Sequence, residues 1–231
     1  MRNDSGGRVY GGLSAHDRQE QRRTSLIAAG LELFGTVGYL NASVKRVCDE
    51  AGLTQRYFYE SFPDRAALLG AVYQHCVDTA RTATLTAAAT VFDDVGVGGG
   101  PVPTELVPDL AETALGGCIH CLAHDRRLAR IITIEVVGVS PELEKLRLDA
   151  THKWAELLLG FATGDGPATA EQRLAAIGLI GALTQLLVDW QTATTDPIGP
   201  DAGPDLFQID AIHHVMTEVF TATFQRVIAP G

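Results

Sequence analysis

The sequence predicts an all-α protein of about nine helices, with a small N-terminal unit followed by a larger one. Apolar residues recur at helical spacing along most of the 231 residues, and no segment shows the alternation of a β-strand. Serine, threonine and glycine stand where these apolar runs begin and end, as they do at helix caps. A chain of this length can bury a sizeable core without a partner.

The first helix is predicted between Arg18 and Gly35, where apolar positions repeat every three or four residues. Residues 1–16 are polar and contain glycine, which predicts a flexible N-terminal tail. After a glycine-flanked turn, Tyr39 and Leu40 are expected to plug the core of the small unit. Three helices then fit into about fifty residues, on the order of a small domain.

Two short helices are predicted to meet at a sharp turn around Gly52. Ser43 is placed to cap the first of them, from Val44 to Ala51, and Gly52 can take the left-handed conformation that ends it. Thr54 can cap the next helix by accepting a backbone N–H. Such a pair presents the start of its second helix to base edges and phosphates. The segment therefore predicts a DNA-reading helix-turn-helix.

An ordered series of residues supports this interpretation. In chain order it is Ala28-Ala29, Leu33-Phe34, Gly38-Tyr39, Ser43-Val44, Val47, Ala51-Gly52, Thr54, Phe58-Tyr59, Phe62-Pro63 and Leu68. With this spacing the chain resembles the TetR family of bacterial transcriptional regulators, from roughly Arg18 to Leu69. The resemblance implies a helix-turn-helix domain at residues 17–65 and a helical ligand-binding and dimerisation domain at residues 66–231. It implies a regulator and not an enzyme.

The resemblance places base contacts at the start of the third helix, at Gln55, Arg56 and Tyr57. Arginine can fork onto guanine and glutamine onto adenine, so these residue types suit the major groove. Arg56 could instead pair with Glu60 one turn further on. The other expected DNA contacts, mostly to phosphate, are Ser43, Lys45, Arg46, Thr54, Tyr59 and Arg65. Several of these could equally be solvated surface residues, whereas Phe58 and Phe62 are assigned to the core.

The formal net charge of −10 lies entirely after residue 80. Nine of the 18 basic and nine of the 28 acidic residues precede residue 81, which leaves nine basic and 19 acidic residues after it. A neutral reading head binds DNA weakly, but two copies in a dimer would double the phosphate contacts that dominate affinity. The acidic unit is expected to face away from the duplex.

Helical patterns continue through the second unit. A long helix from Asp64 to about Phe92 links the two units, and a loop is predicted at 96–100. The later helical segments are 104–124, 126–137, 140–164, 168–194 and 206–228. The last two resemble the dimerising pair of the family, and Gly178 and Gly181 are small enough to let helices approach closely. The resemblance therefore implies a homodimer formed through these helices, in keeping with two-fold symmetric operators.

An effector pocket is expected between helices of the second unit, because such sites are mostly apolar with a few directing polar groups. The candidate lining residues are His120, His152, Trp154, Phe161, Gln185 and Asp189. Cys118, Cys121, His120 and His124 carry soft metal ligands, but one CxxC inside an apolar helix is weak evidence for a site. We therefore predict no metal and no cofactor.

Four cysteines without a disulfide framework indicate a reducing cytoplasm, and no apolar run was expected to reach the length of a membrane span. The sequence thus predicts a cytoplasmic repressor that a small apolar effector releases from a palindromic operator. The alternative is a small-molecule or metal and redox sensor whose DNA-reading head is degenerate. The neutral charge of the head and the acidic Glu60 slightly favour that alternative, whereas the complete series from Gly52 to Leu69 argues against it.

Overall fold

The computed structural model describes residues 14–95, 101–163, 166–193 and 208–228. Over these ranges the chain forms nine α-helices and no strand, which confirms the predicted fold class. The predicted loop at 96–100, the proline-rich segment at 194–207 and most of the predicted tail, 1–13, lie outside the described residues.

The helices are numbered here in chain order. They are α1 (Ala15–Thr36), α2 (Val44–Ala51), α3 (Gln55–Ser61), α4 (Arg65–Val95), α5 (Val107–His124), α6 (Arg126–Arg130), α7 (Pro141–Thr163), α8 (Ala170–Ala193) and α9 (Ile209–Thr223). Short 3₁₀ turns occur at Tyr39–Asn41 and Thr104–Leu106, and π-helical turns at Ile131–Glu135 and Phe224–Ile228.

Helix α1 begins earlier than the sequence suggested. The hydroxyl of Ser14 accepts the N–H of Asp17, and the Asp17 carboxylate accepts the N–H of Ser14, each at 3.0 Å. This reciprocal capping box satisfies two amides that a helix start leaves open. Residues 14–16 therefore belong to the helix and its cap rather than to a tail.

Helices α2 and α3 meet at Gly52, which has φ 64° and so takes the predicted left-handed conformation. Ser43 caps α2 as expected, since its hydroxyl accepts the N–H of Arg46 at 3.2 Å. The expected cap by Thr54 is wrong: its side chain accepts no helix N–H. The first turn of α3 is closed by backbone instead, with the N–H of Tyr57 donating to the Thr54 carbonyl at 3.0 Å.

Aromatic residues fill the core of the small unit. Phe58 and Phe62 are buried, as predicted, and Tyr39 packs edge-on against the buried ring of Phe34. The expectation for Leu40 is wrong, because 85% of it is exposed. The short 3₁₀ turn allows only one of two adjacent side chains to face the core, and Tyr39 takes that position.

The larger unit is a helical bundle in which α4 packs along α5, α5 along α9, and α7 against α8. One cluster of buried apolar residues runs from Leu26 in α1 through Leu69 in α4 to Met216 in α9. A second cluster surrounds Leu158 and Phe224. The core of the small unit is therefore continuous with that of the bundle, so burial links helices α1 to α3 to the rest of the chain.

The segment predicted as one helix at 126–137 is divided. Helix α6 ends at Arg130 and a π-helical turn follows at Ile131–Glu135. In that turn the Thr133 hydroxyl donates to the carbonyl of Ala129 at 2.7 Å. The side chain thus uses a carbonyl that would otherwise accept only a backbone N–H of the helix. π-Helical turns are rare and often lie at functional sites.

The expectation that no apolar run reaches the length of a membrane span does not hold for α8. By length and composition alone this helix is apolar enough to cross a membrane, and only 28% of the apolar stretch concerned is buried. Much of its apolar surface is therefore not covered within this chain.

Candidate DNA interface and effector cavity

The start of α3 presents polar side chains to solvent. Gln55, Arg56 and Tyr59 are exposed, while Tyr57 is half-buried with its ring beneath the guanidinium of Arg22, 4.5 Å from the ring centroid. Helix α3 is held in place by the buried Phe58 one turn further on. The predicted base-reading positions thus occupy an open face on a firmly anchored helix.

Arg56 is paired with Glu60. Its Nε lies 2.9 Å from Glu60 Oε1, and Arg22 Nη2 lies 3.9 Å from the other carboxylate oxygen. The Arg56 side chain is 83% exposed, so this pair contributes little stability and exchanging Glu60 for a base edge costs little. The pairing that the sequence left open is present here in the absence of DNA.

The residues predicted to contact phosphate differ in how exposed their side chains are. Lys45 is exposed and pairs with Asp49 at 2.6 Å, and Arg46 is exposed with Nη1 donating to a backbone carbonyl at 3.0 Å. Arg65 is half-buried: Nη1 donates to the Ala42 carbonyl at 2.6 Å and the guanidinium lies over the Tyr39 ring. Arg65 therefore connects the start of α4 to the turn before α2, and this structural contact is separate from its predicted contact with phosphate.

Arg22 was not among the predicted site residues. Its Nε is buried without a hydrogen-bond partner among the described residues, and its head contacts both Tyr57 and Glu60. The sequence of α1 does not reveal these contacts, because they depend on how α1 crosses α3.

A cavity of about 160 Å³ lies among α4, α5, α7 and α8. Its walls are mainly apolar; they include Val77, Leu115, Ile132, Leu183 and Phe220. A mainly apolar cavity between bundle helices is the kind of space that the sequence predicts for an effector.

Two of the six predicted lining residues, Trp154 and Phe161, line this cavity. The other four do not. Gln185 and Asp189 bond to each other at 2.9 Å along α8, whose cavity face carries Leu183 and Leu187 instead. His152 is exposed, and His120 lies beside α9, its ring 5.2 Å from that of His213. Polar character alone selected these residues, and polar side chains mostly occupy the outer helix faces.

The polar residues that do line the cavity were not predicted. They are Tyr73, Thr84, Thr133, Arg147, Thr151 and Thr184, with the thiol of Cys118 beside them. Each threonine hydroxyl donates to the carbonyl one turn earlier, so the wall offers few free donors. Burial raises the pKa of Tyr73 to about 12, which keeps its hydroxyl neutral. Arg147 is the one charged lining residue, and Glu144 engages it at 3.0 Å.

The cysteines and histidines of α5 point in different directions. Cys118 is buried at the cavity, where burial raises the pKa of its thiol to about 11, and Cys121 is half-buried. His120 and His124 are exposed. Within the described ranges no three potential metal ligands converge on one point.

A polar bridge joins the cavity wall to the small unit. Ile132 and Thr133 of the π-helical turn line the cavity. Glu135 of the same turn accepts the backbone N–H of Tyr39 at 2.7 Å and pairs with Arg130 at 2.7 Å. One π-helical turn therefore contacts both the cavity and the turn that precedes α2.

A second bridge lies beside it at α6. Arg127 pairs with Glu32 of α1 and with Asp125. The hydrogen bonds from Arg127 lower the pKa of Asp125, so the carboxylate remains charged near neutral pH.

Comparison with known proteins supports this geometry. Residues 26–72 match the family model described as bacterial regulatory proteins, tetR family. No curated protein matches the sequence.

Solved structures share the fold over most of the chain. A TetR-family regulator described as putative, from Rhodococcus sp., has a TM-score of 0.63 at 18% identity, covering 88% of this chain and 98% of its own. FadR from Bacillus subtilis, in complex with stearoyl-CoA, has a TM-score of 0.61 at 15% identity, covering 86% and 97%. The fatty acid degradation regulator FadR from Bacillus halodurans has a TM-score of 0.58 at 16% identity, covering 85% and 94%.

The match over residues 26–72 and the exposed start of α3 define a helix-turn-helix region of the kind found in bacterial regulatory proteins. The helix-turn-helix region belongs to the TetR family of bacterial transcriptional regulators, and the described chain has the fold of those regulators.

Proposed function

We propose that this protein is a homodimeric transcriptional repressor that leaves a palindromic operator when an apolar effector occupies its cavity. The observation that carries the proposal is the open start of α3, where Gln55 and Arg56 face solvent on a helix anchored by Phe58. A short, rigid helix with exposed hydrogen-bonding groups at its start is suited to reading the major groove.

The contact with DNA begins with a change of partner. Arg56 exchanges Glu60 for a base edge, and Gln55 reads a neighbouring base. Lys45 and Arg46 at the start of α2 are exposed and suited to phosphate contacts. Tyr59, 57% exposed, offers a hydroxyl to the backbone on the other side of the groove. Ser43, Thr54 and Arg65 shape the turn and the start of α4 around these contacts.

The proposed dimer uses the outer faces of α8 and α9. On α8, Leu174 is 71% exposed beside exposed Gly178 and Gly181, and on α9 Val215 and Val219 are 49% and 42% exposed. Small residues let helices approach closely, and two copies of such a face form a self-complementary four-helix seam. A two-fold axis there would also pair the two reading heads for a palindrome.

Release follows from linkage between the cavity and the reading head. An effector that prefers a conformer with differently placed heads must weaken operator binding by the same factor. Two routes run from the cavity: α4, through Tyr73 and Val77, and the π-helical turn, through Ile132 and Glu135. Both end at the helix-turn-helix, so filling the cavity acts on the spacing of the heads.

Selection from a pool of double-stranded DNA at two salt concentrations tests the proposal. Wild type should enrich a palindromic motif, and Arg56→Ala should relax one position of it, a loss of about 1–3 kcal/mol in discrimination. Glu60→Gln, which removes a negative charge but keeps the size, should strengthen binding. Arg173→Ala, an exposed arginine of α8 paired with Glu156, serves as the control and should leave the motif unchanged.

The alternative function has one observation in its favour. Glu60 neutralises Arg56 and approaches Arg22, so the head carries little free positive charge. A sensor with a degenerate head would give no enriched motif at either salt concentration, for wild type or for Glu60→Gln. That result would overturn the proposed repressor.

A further inference from the structure

The cavity has a neighbour on the outer surface of the bundle. A groove of about 90 Å³ lies between α4 and α7, and it shares four lining residues with the cavity: Val77, Ala150, Trp154 and Leu157. The two spaces therefore adjoin each other at these four side chains. Trp154, half-buried, is the largest of them.

The groove and the cavity differ sharply in chemistry. Beyond the four shared residues and Leu146, the groove is lined by Arg81, Lys153, Asp78 and Gln74. The amide of Gln74 donates to Asp78 at 2.9 Å, which engages the one acidic side chain lining the groove. Arg81 and Lys153 are exposed, and within the described part of the chain neither forms an ion pair within 4 Å.

This pair of cations stands out against the charge of its surroundings. The chain beyond residue 80 carries nine basic and 19 acidic residues, yet the groove holds two cations and one engaged carboxylate. Asp149, one turn before Lys153 on α7, pairs with Lys145 at 2.6 Å instead. The groove is therefore a local site of positive charge in an acidic domain, which favours an anionic group.

We propose that the effector is an amphipathic anion, whose unbranched apolar chain fills the cavity and whose anionic head lies in the groove at Arg81 and Lys153. This inference rests on the proposed role of the cavity as the effector site. The apolar chain passes from one space to the other at the four shared residues, beside Trp154. The cavity has room for on the order of ten water-sized groups, which suits a medium-length acyl chain.

The other end of the cavity is less suited to the head. Arg147 is the one charged residue lining the cavity itself, but Glu144 engages its Nε and Nη2 at 3.1 and 3.0 Å. Glu144 is held in turn by the N–H of Gly138 at 2.7 Å. An anion at Arg147 would face one cation and that fixed carboxylate, whereas an anion in the groove meets two cations against the single carboxylate of Asp78.

Calorimetric titration of the full chain with three probes tests this assignment. Decanoate and decanoyl-coenzyme A carry an anionic head on the same chain, and decan-1-ol carries a neutral one. We expect the double variant Arg81→Gln, Lys153→Gln to lose about tenfold in affinity for the anions and none for the alcohol, since each exposed charge contributes up to about 1 kcal/mol. Both residues are exposed, so the double variant should fold; its helical circular dichroism checks this.

Two comparisons make the result decisive. Arg173→Gln, an exposed arginine outside both spaces, should bind all three probes as wild type does. A free carboxylate as the natural head predicts tighter binding of decanoate, and a phosphate-bearing head predicts tighter binding of decanoyl-coenzyme A. Either order supports the amphipathic anion and identifies its source.

Three outcomes would overturn the inference. The first is that the double variant loses as much affinity for the alcohol as for the anions. The second is that affinity for the anions falls only in Arg147→Gln. The third is that no probe binds wild type. Operator selection is measured on the unliganded protein, so its result does not depend on these three outcomes. If the protein selects an operator but binds no probe, only the proposed ligand class is rejected. If it selects no operator, the proposed repressor is rejected.

Discussion

The carboxylate of Glu135 accepts the backbone N–H of Tyr39 across 96 residues of sequence, with 2.7 Å between Oε2 and N. The second oxygen pairs with Arg130, and the Glu135 side chain is only 10% exposed. Two residues away, Thr133 lines the cavity. This single side chain therefore joins the wall of the cavity to the turn that precedes α2 and α3.

Removing Glu135 should destabilise the protein and weaken its response to effector. Glu135→Ala leaves the Tyr39 N–H and the Arg130 guanidinium without their partner, which costs about 2–3 kcal/mol in the free energy of unfolding. Glu135→Gln keeps an acceptor for Tyr39 and should cost less. Urea unfolding measures both values. Asp149→Asn, in the exposed Lys145 pair, is the control and should change stability by less than about 0.5 kcal/mol. Equal losses for the Ala and Gln variants would contradict this role.

The Asp125–Arg127 pair should make stability fall in acid. Hydrogen bonds from Arg127 lower the pKa of Asp125 in the folded chain, so the unfolded chain takes up its proton first as the pH drops. The contribution is complete above the unfolded value of about 3.9 and is lost as the pH falls below it through the folded value. Unfolding free energies measured down this range should decline less steeply for Asp125→Asn and for Arg127→Gln. Profiles parallel to that of wild type would exclude the pair as a cause.

Two glycine-to-alanine substitutions should have opposite signs. Gly52 has φ 64° with open space around its Cα, so Gly52→Ala adds only backbone strain, about 1–2 kcal/mol. Gly160 lies inside α7, also in open space, so Gly160→Ala should stabilise the helix by up to about 1 kcal/mol. Thermal unfolding of both variants provides the comparison. A gain in stability for Gly52→Ala would mean that the turn does not need the left-handed conformation.

The cysteines should differ in how fast they react with a maleimide at about pH 8, which is close to the ordinary thiol pKa of about 8.5. Burial raises the pKa of Cys76 to about 12 and that of Cys118 to about 11, so both remain thiols and are shielded. The half-buried Cys121 should label first. Mass spectrometry after brief labelling identifies the modified residue, and labelling in urea controls for intrinsic reactivity. Labelling of Cys118 as fast as Cys121 would revive a thiol-sensing role.

The proposed dimer depends on the exposed face of α8. Leu174→Glu places a charge in the proposed apolar seam and should shift the mass in solution from dimer to monomer, measured by light scattering during gel filtration. Leu148, on α7, is 50% exposed and lies outside that face. Leu148→Glu is therefore a matched control that should remain dimeric. A dimer unaffected by Leu174→Glu would place the two-fold axis elsewhere.

Local sequence was a good guide wherever a feature depends on near neighbours along the chain. The cap at Ser43, the left-handed Gly52 and the buried Phe58 follow from such short-range rules. Local signals erred where two adjacent side chains compete for one inward position, as at Leu40. They also erred at Thr54, where backbone closed the turn that a side chain was expected to cap.

The lining of the cavity was much harder to predict. Of the six candidate residues, only Trp154 and Phe161 line it. His152 and Gln185 were chosen for their polarity, but a helical pattern does not distinguish a polar residue facing a cavity from one facing water. The groove at Arg81 and Lys153 has no sequence signature, since its cations lie on helices separated by about seventy residues of chain, far beyond the reach of any local pattern.

The sequence by itself determined the all-helical fold, the helix-turn-helix and its TetR-family character, because caps, turns and amphipathic periodicity act within a few residues. Only the tertiary structure decided where the bundle leaves a cavity, which cations line the neighbouring groove, and that Glu135 reaches Tyr39. Periodicity defines which face of each helix is apolar. How two such faces meet, and whether a gap remains between them, depends on the packing of helices distant in sequence.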